Sequence, residues 1–242
     1  MYFSVNGETI QFFRCVILMS MDSYRYSATK FRDQLLTMGV LRIGTLHDFR
    51  RAEHKRGIAD PEEGKKRVYH HITKLLISNS NDEANQKSVD FRSLSAFNAV
   101  KLSGCSNITF ENVTLNQHFE SPDFFILCSS SNCSEKTMNE FEGADSCLRI
   151  NNIEDFYWSL TNTLNLFTPV VFEGIHQVKY QSKAETWNGV DWGTHPALIK
   201  PLTYQRQHEI RAIWRPRYGQ PIEPLITGNS NLGSFCEAVR VR

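Results

Sequence analysis

The feature that most constrains this chain is a switch of hydrophobic period. Runs with the two-residue repeat of strands stand on both sides of one long run with the repeat of a helix. From Ile153 to Phe167, the residues Phe156, Trp158, Leu160, Leu164 and Phe167 fall on one broad apolar face. Cys147 to Ile150 precedes it and Val170 to Tyr180 follows it, both strand-like. A helix with such a face has to be covered, and strands on either side of it in the chain supply a sheet that does so. The expected fold class is α+β.

The remaining segments fit that class. Thr9 to Met19 is rich in β-branched and aromatic residues and reads as a strand, followed by a short one at Ser23 to Tyr26. Ser27 is the expected cap of a helix through Phe31, Leu35 and Met38, and Gly39 stops it. Val40 to Ile43 returns as a strand with Arg42 outward. Tyr69 to Ile77 and Ile108 to Leu115 are strands, with a polar loop expected from Ser78 to Gln86. Asp123 to Cys128 is the most hydrophobic strand and runs into Ser129, Ser130 and Ser131. A short helix starts from Ser134, Ile210 to Trp214 is a late strand, and Glu237 to Val241 is an edge strand. Residues 44–67 are highly charged and punctuated by Gly57, Pro61 and Gly64, which predicts a solvated loop or lid with a helical turn near Phe49 to His54. No repeat or proline-rich linker divides the chain, so residues 1–242 are expected to form a single domain.

Charge bears on partners. A formal net charge of +1 argues against a surface that grips nucleic acid everywhere, and leaves local basic patches open. The run Phe12 to Met19 is broken by Arg14 and is too short to span a bilayer, and no cationic leader precedes it. Six scattered cysteines, with no second pair at zinc spacing, read as reduced thiols. A cytoplasmic protein with no membrane partner is expected.

Chemistry gathers at three places in chain order. Arg25 lies on a short strand, Ser129-Ser130-Ser131 ends the most hydrophobic strand, and Gln207-His208-Glu209 opens a late one. Two-residue periodicity puts Gln207, Glu209 and Arg211 on one side of that strand and Ile210 and Ala212 on the other. Such a polar row is most often a solvated face, and Glu209 with Arg211 or Arg206 then makes only a surface ion pair.

An arginine, a Ser-x-Ser and a Gln-x-Glu in this order resemble the arginine-serine-glutamate pattern of ADP-ribosyltransferases. The resemblance implies a split sheet and NAD as substrate. It also implies that Arg25 holds the dinucleotide's phosphates or ribose, Ser129 and Ser131 shape the nicotinamide ribose pocket, and Glu209 is catalytic. Gln207, where arginine-modifying members carry glutamate, implies an acceptor that is nucleic acid or a protein side chain other than arginine. The family's aromatic-Ser-Thr-Ser is here Leu127-Cys128-Ser129-Ser130-Ser131. Breaking the bond between nicotinamide and ribose passes through an oxocarbenium-like state, so a carboxylate beside the sugar stabilises the developing positive charge. A planar guanidinium suits phosphate.

A wider resemblance links SYRYSATKFRDQLLTMGVLRIGTLHDFR, GIADPEEG, DFFILCSSS and ALIKPLTYQRQHEIRAIW to a set of uncharacterised bacterial proteins. By analogy, a toxin or phage-defence effector with an antitoxin or inhibitor protein as partner is expected.

Other readings stay open. The same cleft in a catalytically silent module holds a nucleotide or a partner. His47 and His54 with Asp48 and Glu53 suggest a nuclease loop, although their spacing repeats no ligand motif. His70 and His71 point to opposite faces of a strand. Trp187 and Trp192 are placed either to stack on a base or to plug their loop onto the core.

Overall fold

The computed structural model describes residues 2–5, 8–11, 22–51, 53, 57–78, 83–104 and 106–241. The early strands are β1 (Tyr2–Val5), β2 (Glu8–Gln11), β3 (Ser23–Ser27), β4 (Val40–Thr45), β5 (Lys65–Ile77) and β6 (Ile108–Glu120). The later ones are β7 (Phe125–Ser130), β8 (Ser146–Ile150), β9 (Val170–Gln177), β10 (Lys179–Tyr180), β11 (Ala184–Thr186), β12 (Ile199–Lys200), β13 (Glu209–Pro216), β14 (Leu225–Gly228) and β15 (Cys236–Val239). The helices are α1 (Thr29–Met38), α2 (Glu83–Lys87), α3 (Val89–Ala96), α4 (Glu135–Met138) and α5 (Ile153–Phe167). Most strand pairs are antiparallel, so the α+β class and the mainly antiparallel sheet hold. No helix among the described residues is long and apolar enough to cross a membrane.

The chain groups into two compact units. The first comprises Met1–Gly64, Pro122–Gln181 and Ala197–Arg242, and the second Lys65–Ser121 and Ser182–Pro196. In the second unit β5, β6 and β11 form a three-stranded sheet. Its core gathers Val68, Ile72, Ile77, Leu94, Phe97 and Trp187, with Trp192 packed against them. Both tryptophans therefore plug the core. Of the polar segment expected as a loop from Ser78 to Gln86, Glu83 to Gln86 is helical instead, since α2 starts at Glu83; α3 follows and buries Leu94, and residues 79–82 lie outside the described residues. His70 bonds Asp90 at 2.7 Å and His71 bonds Thr114 at 3.0 Å, so the two histidines do diverge.

The first unit holds an eight-stranded sheet. The helix α5 has the bounds its periodicity predicts and covers one face with Phe156, Tyr157, Leu160 and Leu164. Trp158 and Phe167, expected on that face, are exposed. Trp158 lies half a turn away from the buried stripe, where Tyr157 takes the inward place instead, and Phe167 is the last residue of the helix. The helix α1 also ends as expected. Gly39 adopts a left-handed φ of 66°, and a side chain there would meet the Asn229 carbonyl at 1.7 Å. Its cap is not Ser27, because Asp145 Oδ1 accepts from both the Thr29 N–H at 2.6 Å and the Thr29 hydroxyl at 2.9 Å.

The most hydrophobic strand organises this unit. β13 pairs along the whole of one edge of β7, from Glu209 opposite Ser130 to Trp214 opposite Phe125. The other edge is shared. β4 pairs only at Ile126 and Phe125, and β3 only at Ser130. Leu127, Cys128 and Ser129 thus have no strand partner on that side, and the sheet forks there, with α1 in the connection between the two prongs.

The expected strand from Thr9 to Met19 is seen only in β2, and its remainder lies outside the described residues, as does His54.

Candidate functional site

A cavity of about 520 Å³ lies in the fork, lined by parts of β3, β4, β7 and α1 and by the segment around Gly57 and Ile58. That size is typical of small-molecule sites, roughly 300–1,000 Å³. Arg25, Ser129 and Glu209, far apart in the chain, all line it.

Arg25 reaches the cavity from the middle of β3 and is partly buried. Tyr24 and Tyr26 flank it in sequence, and Tyr26 anchors the strand by donating to the Asn132 carbonyl at 2.6 Å and accepting from the Ser134 N–H at 2.9 Å. Among the described residues Arg25 has no hydrogen bond, ion pair or stacked ring. Burial pushes its pKa below the ordinary value, and the cationic Arg42 adds to the shift.

The serine run divides its work. Ser129 is nearly buried, lines the cavity and, among the described residues, has no partner for its hydroxyl at hydrogen-bond geometry. Two further buried hydroxyls, Ser23 and Tyr157, also lack partners. Ser129 and Ser23 both lie close enough to Tyr157 to oppose the upward push of burial on its pKa, although neither meets the geometry of a hydrogen bond. Ser130 donates to the Gln207 carbonyl at 2.8 Å. Ser131, expected to shape the ribose pocket, lies past the end of β7 and outside the cavity lining. Its N–H bonds the His208 carbonyl at 2.9 Å and its hydroxyl the same atom at 3.3 Å. Ser130 and Ser131 therefore hold the turn that precedes Glu209.

That turn corrects a second expectation. Gln207 is not on the strand with Glu209, because a 3-10 segment from Leu202 to Gln207 ends there and His208 takes a left-handed φ of 46°. Gln207 is buried and absent from the cavity lining. Its amide donates to the Gly57 carbonyl at 2.7 Å and its carbonyl accepts from Lys200 at 3.0 Å.

Glu209 and Arg211 do share one face of β13, yet that face is buried rather than solvated: Glu209 is 3% exposed and Arg211 0%. One Glu209 oxygen meets Arg211 Nε at 2.6 Å and the other Lys200 Nζ at 2.5 Å. Arg211 grips Glu63 through both terminal nitrogens, at 2.8 and 3.1 Å, and donates to the Ala197 carbonyl at 2.6 Å. Burial acts to raise the Glu209 pKa, but the two cations overcome it and hold the carboxyl at about 2. Burial likewise opposes the Lys200 ammonium, and Glu209 and Glu63 together more than offset it, so that pKa is raised. Arg206, the other candidate partner, is exposed and lies 3.9 Å from Glu140.

The charged segment 44–67 is therefore no solvated lid throughout. Glu63 is fully buried, Asp48 and Asp60 nearly so, and the expected helical turn appears at Asp48–Arg50. Among the described residues no group of three or more histidine, cysteine or carboxylate side chains gathers in a metal-binding arrangement. Sequence reasoning missed Lys200 and Glu63 as members of the site. Both lie within the stretches ALIKPLTYQRQHEIRAIW and GIADPEEG, but nothing in their local pattern shows that they meet.

No protein-family model, curated protein or solved structure matches this chain.

Proposed function

We propose that this protein is an NAD-dependent ADP-ribosyltransferase whose site is the forked cavity of the first unit. The observation that carries this reading is the convergence of Arg25, Ser129 and Glu209 on one cavity, with the Arg25 guanidinium left without a hydrogen-bond or ion-pair partner among the described residues. A partly buried guanidinium that no described residue neutralises is suited to an anionic ligand, and the dinucleotide's pyrophosphate has the matching charge. Ser129 offers a buried hydroxyl that, among the described residues, has no partner at hydrogen-bond geometry. Glu209, ionised throughout the neutral range, supplies the negative charge that an oxocarbenium-like ribose requires as nicotinamide leaves. Each of its oxygens keeps a lone pair beyond those used by Lys200 and Arg211, enough to accept from a ribose hydroxyl. The acceptor is proposed to be nucleic acid or a protein side chain other than arginine, and the biological role that of a toxin or phage-defence effector.

The two ion pairs on Glu209 favour a second reading, a catalytically silent nucleotide-binding module, because a carboxylate held this tightly is also a structural element. Nicotinamide release from NAD by wild type and Glu209→Gln, with and without RNA, DNA or host protein, separates the two. Release that is lost in the variant and rises with one acceptor is the expected result. Saturable NAD binding without release selects the silent module, and neither binding nor release overturns both.

A further inference from the structure

Glu209 does not stand alone in its cavity wall. Lys200, Glu209, Arg211 and Glu63 form an unbroken row of alternating charges, none more than 4% exposed. The row sums to zero. Buried ion pairs of this kind seldom add stability over an apolar set of the same volume, so charge balance alone is a weak reason for so elaborate an arrangement. Orientation is a better one.

Arg211 has little freedom. Glu63 holds both of its terminal nitrogens and the Ala197 carbonyl takes a further bond, so only Nε is directed at Glu209. One bond leaves a carboxylate free to rotate about it. The second oxygen is held by Lys200, which lines the cavity beside Glu209. Lys200 is aimed in turn by Gln207 Oε1, and the Gln207 amide is bonded to the carbonyl of Gly57, which also lines the cavity. Gly57 itself is confined, since its φ is +89° and a side chain would strike the Glu140 carbonyl at 2.0 Å.

We infer that Lys200 is a positioning residue for the proposed transfer: with Arg211 it fixes the plane of the Glu209 carboxylate, and through Gln207 it ties that plane to the Gly57 wall. This rests on the transferase reading and adds to it a residue outside the arginine-serine-glutamate pattern. Besides Lys200 on β12, the titratable and charged groups facing Glu209 are Arg211 on its own strand, Cys128 on β7 and Tyr180 on β10, whose hydroxyl accepts from the Glu209 N–H at 2.7 Å. Neither of the last two carries positive charge, so loss of Lys200 leaves Arg211, already shared with Glu63, as the only cation against Glu209 among the described residues.

The test is steady-state NAD turnover by wild type, Lys200→Met and Lys200→Arg across pH, with folding checked by circular dichroism. Lys200→Met is expected to lower kcat by roughly 10²-fold with KM little changed, as a misaligned catalytic group does. Its acid limb should move toward higher pH, because the carboxylate has lost one of the cations that keep it ionised. Lys200→Arg keeps the charge but not the geometry. It should keep the wild-type acid limb with kcat several-fold lower, and that comparison stands even where Lys200→Met does not fold. A folded Lys200→Met, or a Lys200→Arg, with wild-type kcat overturns the inference and leaves the transferase reading in place. A wild type without turnover overturns both.

Discussion

Two arginines border the same cavity in opposite circumstances. Arg211, from the middle of β13, is wholly buried and has a protein partner for each of its nitrogens. Arg25, from the middle of β3, is partly buried and has none among the described residues. Their pKa values diverge accordingly. Burial lowers both, but Glu209 and Glu63 carry Arg211 well above its ordinary value, while Arg25 stays below. A charge whose desolvation the protein itself offsets belongs to the architecture; one left for something else to offset marks the place where a ligand acts.

The contrast breaks most visibly at Arg211. Arg211→Ala leaves Glu63 buried without a counter-charge, and the expected loss is about 3–5 kcal/mol in chemical denaturation. A variant as stable as wild type would show that water reaches Glu63 and that the row is not a sealed network.

Acid comes next. Glu209 has a folded pKa of about 2 against an ordinary 4.5, so its contribution to stability is complete above about pH 4.5 and is lost as pH falls toward 2. Melting temperature should therefore decline across that window, and Glu209→Gln should flatten its share of the decline. An unchanged slope in the variant would mean that other carboxylates carry the acid transition.

The smallest effect is expected at Arg25, and it sharpens the comparison. Arg25→Ala removes no side-chain hydrogen bond or ion pair among the described residues, so stability should stay within about 0.5 kcal/mol of wild type. Binding of NAD, measured by calorimetry, should weaken at least tenfold in the same variant. A large loss of stability with unchanged NAD affinity would reverse the roles assigned to the two arginines.

Legibility from sequence follows the range of the interaction. The helix α5 was readable to its ends because periodicity and the Asn152 cap are local. The same is true of α4, where the Ser134 side chain accepts from the Thr137 N–H. The face of β13 was readable too, since alternation alone puts Glu209 and Arg211 on one side. The environment of that face was not. A polar row on a strand ordinarily meets water, and here it meets Glu63 and Lys200, which lie 146 and 9 residues earlier than Glu209 in the chain. Ser131 and Gln207 were misplaced for a related reason: one 3-10 turn and one left-handed residue, His208, move both out of the strands to which their neighbours belong.

By itself, then, the sequence determined the class of fold, the bounds of the long helix, and the three places where polar groups interrupt apolar strands. Those features depend on residues within a turn or two of each other, and local propensity and periodicity express them directly. Only the tertiary structure decided which polar groups are paired and which are open. That outcome depends on how β7 divides one edge between β3 and β4, and on which distant side chains the fold carries to Glu209. A charge reads the same in sequence whether water, a counter-ion or a ligand balances it; burial separates the three.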